Sequence, residues 1–189
     1  MAELTRCDWP GSNELMIKYH DEEWGVPNHD DRLWFEYITL DAFQAGLSWA
    51  IVLNKRDNFR KAFDNFDPVK ISKYSQNKID ELIQDAGIIR NKLKINATIS
   101  NAKAFLALQK EFGTFDKYIW KFVNGKSIVS KWKTISDLPA STSESDILSK
   151  DLKSRGFKFV GTTICYAFMQ SAGMVNDHLE NCFRYKELI

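Results

Sequence analysis

Apolar residues along this chain recur at helical spacing and hardly ever alternate. Leu33, Trp34, Tyr37, Ile38 and Leu40 fall on one face of a helix, and Asp30 or Asp31 stands where its cap belongs. Ser48 is placed to cap a helix from Trp49 to about Phe63, with Lys55, Arg56, Arg60 and Lys61 as its basic outer face. Asp67-Pro68 is a cap followed by proline at the first helical position. Ser75 to Ala86 forms another helix that stops at Gly87. The longest periodic stretch is Asn91 to Phe112, through Leu93, Ile95, Ala97, Ile99, Ala102, Phe105, Leu106 and Leu108, closed by Gly113. Phe115 to Val123 closes at Gly125, and Ser143 or Ser145 caps a charged helix that runs to Arg155. Residues 126–142 are the least regular, with Ile128, Val129, Trp132 and Ile135 too scattered for a sheet. No run of period two and no internal repeat is found. The pattern predicts an all-α fold built by helix packing.

Arg155 to Cys182 is the stretch around which the chain is organised. Gly156 and Gly161 bracket Phe157-Lys158-Phe159-Val160, and a second apolar helix starts at Thr162. Gly156 sits where a left-handed helix stop is expected, and Gly161 opens the next helix, whose first N–H groups lack internal partners. The unit over about 145–172 is helix, hairpin, helix. Such a hairpin is a ready anion site to which Lys158 adds charge, DNA phosphate being one candidate, or it is a corner that only packs. A phosphate-binding Walker loop is excluded, because Thr162 stands where lysine is required and no apolar strand precedes Gly156.

Length narrows the picture: 189 residues make one domain, 1–189, or two small lobes sharing a core. Six Trp, thirteen Phe and six Tyr suffice to fill that core. The net charge of +1 rules out a generally basic nucleic-acid binder, so any DNA contact must be a local patch. Met1 to Arg6 leads straight into polar sequence without a signal peptide, and no apolar run approaches a membrane span. Three cysteines, an odd number, argue against a disulfide framework, and a cytoplasmic monomer with reduced thiols is expected.

Cys7 and His20 lie near one end, His178 and Cys182 near the other. Residues four apart share a helix face, so His178 and Cys182 can hold one ion, with Cys7 and His20 at the other corners. A Cys₂His₂ set is closed and suits one structural Zn²⁺ joining the segments 1–20 and 176–189. His29 and Cys165 are left as bystanders. A Cys7–Cys182 disulfide is the rival reading, disfavoured in a reducing compartment.

Several blocks carry a family resemblance. They are Tyr19-His20-Asp21 with Glu23-Trp24-Gly25-Val26-Pro27, Gln44-Ala45-Gly46-Leu47-Ser48-Trp49, Phe66-Asp67-Pro68, Gln84-Asp85-Ala86-Gly87-Ile88-Ile89-Arg90, and Leu148-Ser149-Lys150 through Asn176-Asp177-His178. In this order they resemble the 3-methyladenine DNA glycosylase I family of helix-hairpin-helix DNA glycosylases, essentially end to end. The resemblance implies the same four zinc ligands. It implies a hairpin, Gly156, Lys158, Gly161, Thr162 and Thr163, that grips double-stranded alkylated DNA. It implies that Trp49 and Tyr19 stack on a flipped base, with Trp9 and Trp24 walling the pocket. Leu47 would plug the gap in the stack, beside Gln44 and Gly46 of the same loop.

The resemblance departs at Asp41, where the family has a glutamate that reads the base. The shorter side chain withdraws its carboxylate by about 1.5 Å. Ala42, Phe43 and Met16 differ from the family as well. On its own, Asp41 reads as a helix cap, and Trp34, Trp120 and Trp132 read as core. No lysine opens the helix after Gly161, so monofunctional hydrolysis is expected rather than lyase chemistry. Asp177, beside His178, reads as structural. The expected activity is excision of 3-methyladenine, with Asp41 and Tyr19 contacting the base and free base as product. The alternatives are a lapsed member that binds damaged or abasic DNA without cutting, and a zinc-stabilised helical adaptor.

Overall fold

The structure, a computed structural model, describes residues 4–189. Residues 1–3, part of the expected N-terminal metal-binding segment, lie outside the described residues. The chain forms α1 (Glu14–Glu22), α2 (Asp31–Gln44), α3 (Trp49–Asn54), α4 (Arg56–Ala62), α5 (Pro68–Ile71) and α6 (Gln76–Gln84). It continues through α7 (Lys92–Phe112), α8 (Phe115–Ile119), α9 (Ser143–Ser154), α10 (Thr162–Ser171) and α11 (Phe183–Glu187). Two short strands, β1 (Ile128–Val129) and β2 (Val175–Asn176), pair in parallel, Ile128 opposite Val175. The fold is all-α apart from this bridge.

α2 is the central helix. Its cap is Asp30, whose Oδ1 accepts the Arg32 N–H at 2.8 Å. Every residue from Trp34 to Phe43 is buried, so no face of its middle meets water. α7 and α10 pack on it. The core between them is aromatic: Phe35 meets Phe105 edge to face at 5.1 Å, and Phe105 stacks on Phe115 at 4.3 Å. Truncating a buried ring such as Phe105 to alanine costs about 3–5 kcal/mol.

Most expected helix starts are found, with Ser75, Asp67 and Asn91 side chains accepting N–H groups of the helices they open. Four expectations are corrected. The helix expected from Trp49 to Phe63 breaks at Lys55 into α3 and α4. Arg56 is not on an outer face: it is 7% exposed and its Nε and Nη1 donate to Glu36 at 2.5 Å and Glu23 at 2.6 Å. Leu93 lies outside the core, 73% exposed. The cap of α9 is Thr142, which exchanges hydrogen bonds with Ser145, rather than Ser143 or Ser145.

α9 and α10 form the expected helix-hairpin-helix. Gly156 has φ +93° and stops α9, and Gly161 is extended and opens α10. The end of α10 is fixed against the segment after α1. The Gly25 N–H donates to the Gln170 carbonyl and the Asn28 N–H to that of Ala172, both at 3.0 Å. Gly173 allows this approach, since a Cβ there would lie 2.2 Å from the Val26 carbonyl carbon. Among the described residues, no helix is long and apolar enough to cross a membrane.

Candidate functional site

A cavity of about 210 Å³ opens between α1, α2, α3, α10 and the segment after β1. That is below the roughly 300–1,000 Å³ of sites for larger ligands, and fits one small flat molecule. Trp9, Tyr19, Trp24, Asp41, Gln44 and Trp49 line it, so all five expected base-binding residues meet there. Tyr19 lies 5.2 Å from Trp49 between ring centres, and Trp9 meets Trp24 edge to face at 5.1 Å. Among the described residues, the buried indole N–H groups of Trp9 and Trp49 find no acceptor.

Asp41 does not cap a helix. It lies inside α2, three residues before Gln44, so both side chains reach the same face. Asp41 is 1% exposed, and among the described residues its one hydrogen bond comes from the Ser171 hydroxyl, to Oδ2 at 3.0 Å. Burial pushes its pKa up to about 8; the Ser171 hydroxyl and the Arg56 charge hold it back only in part. Burial likewise raises the Tyr19 phenol well above its ordinary range.

The turn after α2 presents Leu47. The Leu47 N–H donates to the Gln44 carbonyl at 2.7 Å, with Ala45 at φ −47°, ψ 115° and Gly46 at φ +77°. These are the dihedrals of a type II turn, which wants glycine at its third position. Leu47 is exposed at its end.

The hairpin presents the Lys158 side chain and Thr163 to solvent. The Thr162 hydroxyl donates to Asp146 and pairs with Ser145, so it is engaged within the protein. Among the described residues, the N–H groups of Gly161, Thr162 and Thr163 have no protein acceptor.

Behind the aromatic wall, Cys7, His20, His178 and Cys182 converge, all buried, with one candidate ligand atom from each within 4.8 Å of the others. Tyr19 and His20 are neighbours on α1, about 100° apart around its axis, so one helix serves cavity and cluster. His178 Nδ1 lies 3.2 Å from His20 Nε2, 3.7 Å from Cys7 Sγ and 3.6 Å from Cys182 Sγ; Cys182 Sγ lies 3.5 Å from His20 Nε2. Ordinary Zn–S and Zn–N lengths at tetrahedral angles put sulfur and nitrogen about 3.6 Å apart and two nitrogens about 3.3 Å apart. The cluster therefore fits a tetrahedral metal ion as it stands. The remaining ring nitrogens are spoken for: His20 Nδ1 donates to Asp21 at 2.7 Å and His178 Nε2 to the Trp24 carbonyl at 3.0 Å. Asp21 is held by Arg6 at 2.8 Å. All three cysteines are free, so no Cys7–Cys182 disulfide is formed.

The bystanders stay apart from this cluster. His29 is exposed, bonded to Asp116 and stacked on Trp120 at 4.9 Å; Cys165 is buried in α10. Asp177 accepts from Trp132, Tyr166 and Gln170 at 2.9, 2.5 and 2.8 Å and lies outside the cavity lining, as a structural residue would. Trp34 and Trp120 are core, but Trp132 is corrected: it is half-buried and packs on the smaller apolar group that holds Cys7 and Cys182.

A profile of the methyladenine glycosylase family matches residues 9–185. The chain belongs to that family. It is 51% identical over 182 residues to DNA-3-methyladenine glycosylase 1 of Escherichia coli, covering 96% of this chain and 97% of that one. It is 49% identical to the DNA-3-methyladenine glycosylase of Haemophilus influenzae over 94% of this chain and 96% of that one. It superposes on the 3-methyladenine DNA glycosylase I of Staphylococcus aureus with a TM-score of 0.92 at 32% identity, covering 95% and 96% of the two chains. That structure was described as the basis of 3-methyladenine recognition.

In this methyladenine glycosylase family chain the cavity has five lining residues that sequence reasoning missed: Ile135, Leu138, Ala167, Gln170 and Ser171. The spacing of Ala167, Gln170 and Ser171 marks one helix face and was a usable signal. Nothing in the irregular stretch 126–142 marks Ile135 or Leu138.

The Asp41 shift sets a pH dependence of stability. An unfolded chain ionises Asp41 near pH 4, whereas the folded protein holds the proton to about pH 8. The stability present below pH 4 is therefore lost as pH rises toward 8. Asp41→Asn removes the loss, so its thermal stability relative to wild type should climb across that window and level off above it. Parallel melting curves from pH 4 to 9 check this; a constant offset would contradict it.

Proposed function

We propose that this chain is a monofunctional DNA-3-methyladenine glycosylase, acting in the cytoplasm as a monomer on alkylated duplex DNA. The observation that carries the reading is a nearly unpaired carboxylate buried at the floor of an aromatic cavity. Adenine methylated at N3 is cationic within DNA, and its glycosidic bond is already weakened. A ring of indoles and a phenol attracts such a cation, and Asp41 ionises opposite it. Extrusion of the nucleotide costs a few kcal/mol, and stacking on Trp49 and Tyr19 returns roughly 1–3 kcal/mol. Leu47, exposed on its turn, fills the space left in the duplex. The N–H groups at Gly161 to Thr163 and the Lys158 charge hold strand phosphates. The glycosidic bond breaks with its electron pair going to the base, which leaves neutral. Water adds at the sugar carbon and gives up a proton, leaving an abasic site. No lysine opens α10 to form a Schiff base, which favours hydrolysis.

Cys7, His20, His178 and Cys182 would hold Zn²⁺. The ion supplies a closed, redox-inert crosslink between the chain ends, and Asp21 and the Trp24 carbonyl orient its two histidines.

A second reading rests on Asp41 itself. Its carboxylate is short and drawn toward Ser171, and that geometry suits a protein that binds damaged DNA without cutting.

Purified protein should release free 3-methyladenine from methylated duplex, and Trp49→Ala should lower kcat/KM about tenfold or more. No release by wild type, with abasic-DNA affinity intact and excision gained by Asp41→Glu, would establish the second reading. Elemental analysis should find about one zinc per chain, and Cys182→Ala should lower both zinc content and melting temperature. A metal-free preparation of undiminished stability would contradict the structural role.

A further inference from the structure

The turn that carries Leu47 and the hairpin that carries Lys158 come from distant parts of the chain, yet one helix holds both. Lys94, in the first turn of α7, is 6% exposed. Its ammonium donates to the carbonyls of Phe43 at 2.8 Å and Ala45 at 2.6 Å. No carboxylate pairs with it among the described residues. Both acceptors are carbonyls at the C-terminal end of α2, where backbone groups lack helical partners and the helix dipole is negative. The carbonyl between them, of Gln44, takes the Leu47 N–H. Every carbonyl from Phe43 to Ala45 is thus bound, and the turn after α2 is pinned to α7 by a buried cation.

Asn101 lies seven residues further along α7, two turns on and on the same face. It is 1% exposed. Its Oδ1 accepts the Lys158 N–H at 2.8 Å, and its Nδ2 donates to the Lys158 carbonyl at 3.1 Å. One side-chain amide therefore fixes the hairpin backbone at both polar groups of a single residue, and the Lys158 side chain stays in solvent. The next residue, Phe159, is held at φ +56°, a conformation uncommon outside glycine. Its ring centre is 5.9 Å from the Lys94 ammonium, so the two clamps adjoin. Between them Ile95 and Ile99 bury α7 in the core, which makes the helix a stiff support.

We infer that Lys94 and Asn101 are positioning residues that fix the Gln44–Leu47 turn and the Gly156–Gly161 hairpin to α7 at a set separation, so that the strand is gripped and the vacated stack filled in register. The inference rests on the glycosylase reading. A duplex presents phosphates and the emptied base step at a fixed spacing. A wedge and a grip that drift apart would bind each alone but extrude poorly. Neither residue lines the base cavity, and of the residues they hold only Gln44 touches it, so the pocket for the free base is built mainly by residues outside both clamps.

Lys94→Met and Asn101→Leu test it, read by excision from methylated duplex, by free 3-methyladenine affinity from tryptophan fluorescence, and by melting. Each should lower kcat/KM on duplex about 10- to 100-fold while free-base affinity in the folded protein changes by less than about twofold. Lys94→Arg, which keeps charge and donors, should recover much of the loss. Equal losses in excision and free-base affinity, or full excision by Lys94→Met, would overturn the inference. If wild type itself releases no base, the glycosylase reading fails separately, and hydrogen exchange decides the clamp. Lys94→Met should then speed exchange at the Leu47 N–H, and unchanged exchange would overturn the clamp.

Discussion

The carboxylate of Asp41 sits where a protein does not ordinarily leave one. It is buried among indoles and a phenol, on a helix hidden from water along ten residues, with one hydroxyl for company. The same fold shows how it treats charges buried for structure alone. Glu36, on the same helix, is matched by Arg56 at 2.5 Å and Arg60 at 2.7 Å. The Glu36 charge is paired on leaving water, because an uncompensated one costs several kcal/mol. Asp41 receives no such partner and instead holds its proton. Under the proposed function, a site that keeps a carboxyl neutral while empty would offer a carboxylate to the cationic base that enters.

The Cys7, His20, His178 and Cys182 cluster and the cavity are one construction rather than two. α1 turns Tyr19 into the cavity and His20 into the cluster. The Trp24 ring walls the cavity, and its carbonyl orients His178. Trp9 lies two residues past Cys7 and meets the His20 ring edge to face at 5.4 Å. The convergence of the two chain segments thus brings Trp9, Tyr19 and Trp24 to one cavity wall.

Much of this was legible in the sequence, for local reasons. Caps such as Asp67 and Asn91 act within three residues, and the four candidate ligands are of a type rare enough to count. What escaped depends on partners far along the chain. Arg56 reads as a surface cation beside Lys55 until Glu36 and Glu23 are seen across from it. Ser171 reads as the polar end of a helix until Asp41, 130 residues away, receives its hydroxyl. Ile135 and Leu138 lie in a stretch with no period to follow, because it is held by β pairing at Ile128 and by the Trp132–Asp177 bond rather than by a packed helix face. The break at Lys55 left no proline or glycine to mark it.

The most direct test is to titrate the Asp41 carboxyl carbon by ¹³C NMR in the ligand-free protein, assigned against Asp41→Asn. The account predicts a midpoint near 8 in the empty cavity, moving to lower pH when an N-methylated purine cation fills it. A midpoint near 4 in the empty protein would contradict it, since Asp41 would then be an ordinary solvated carboxylate and the cavity no trap for a cation.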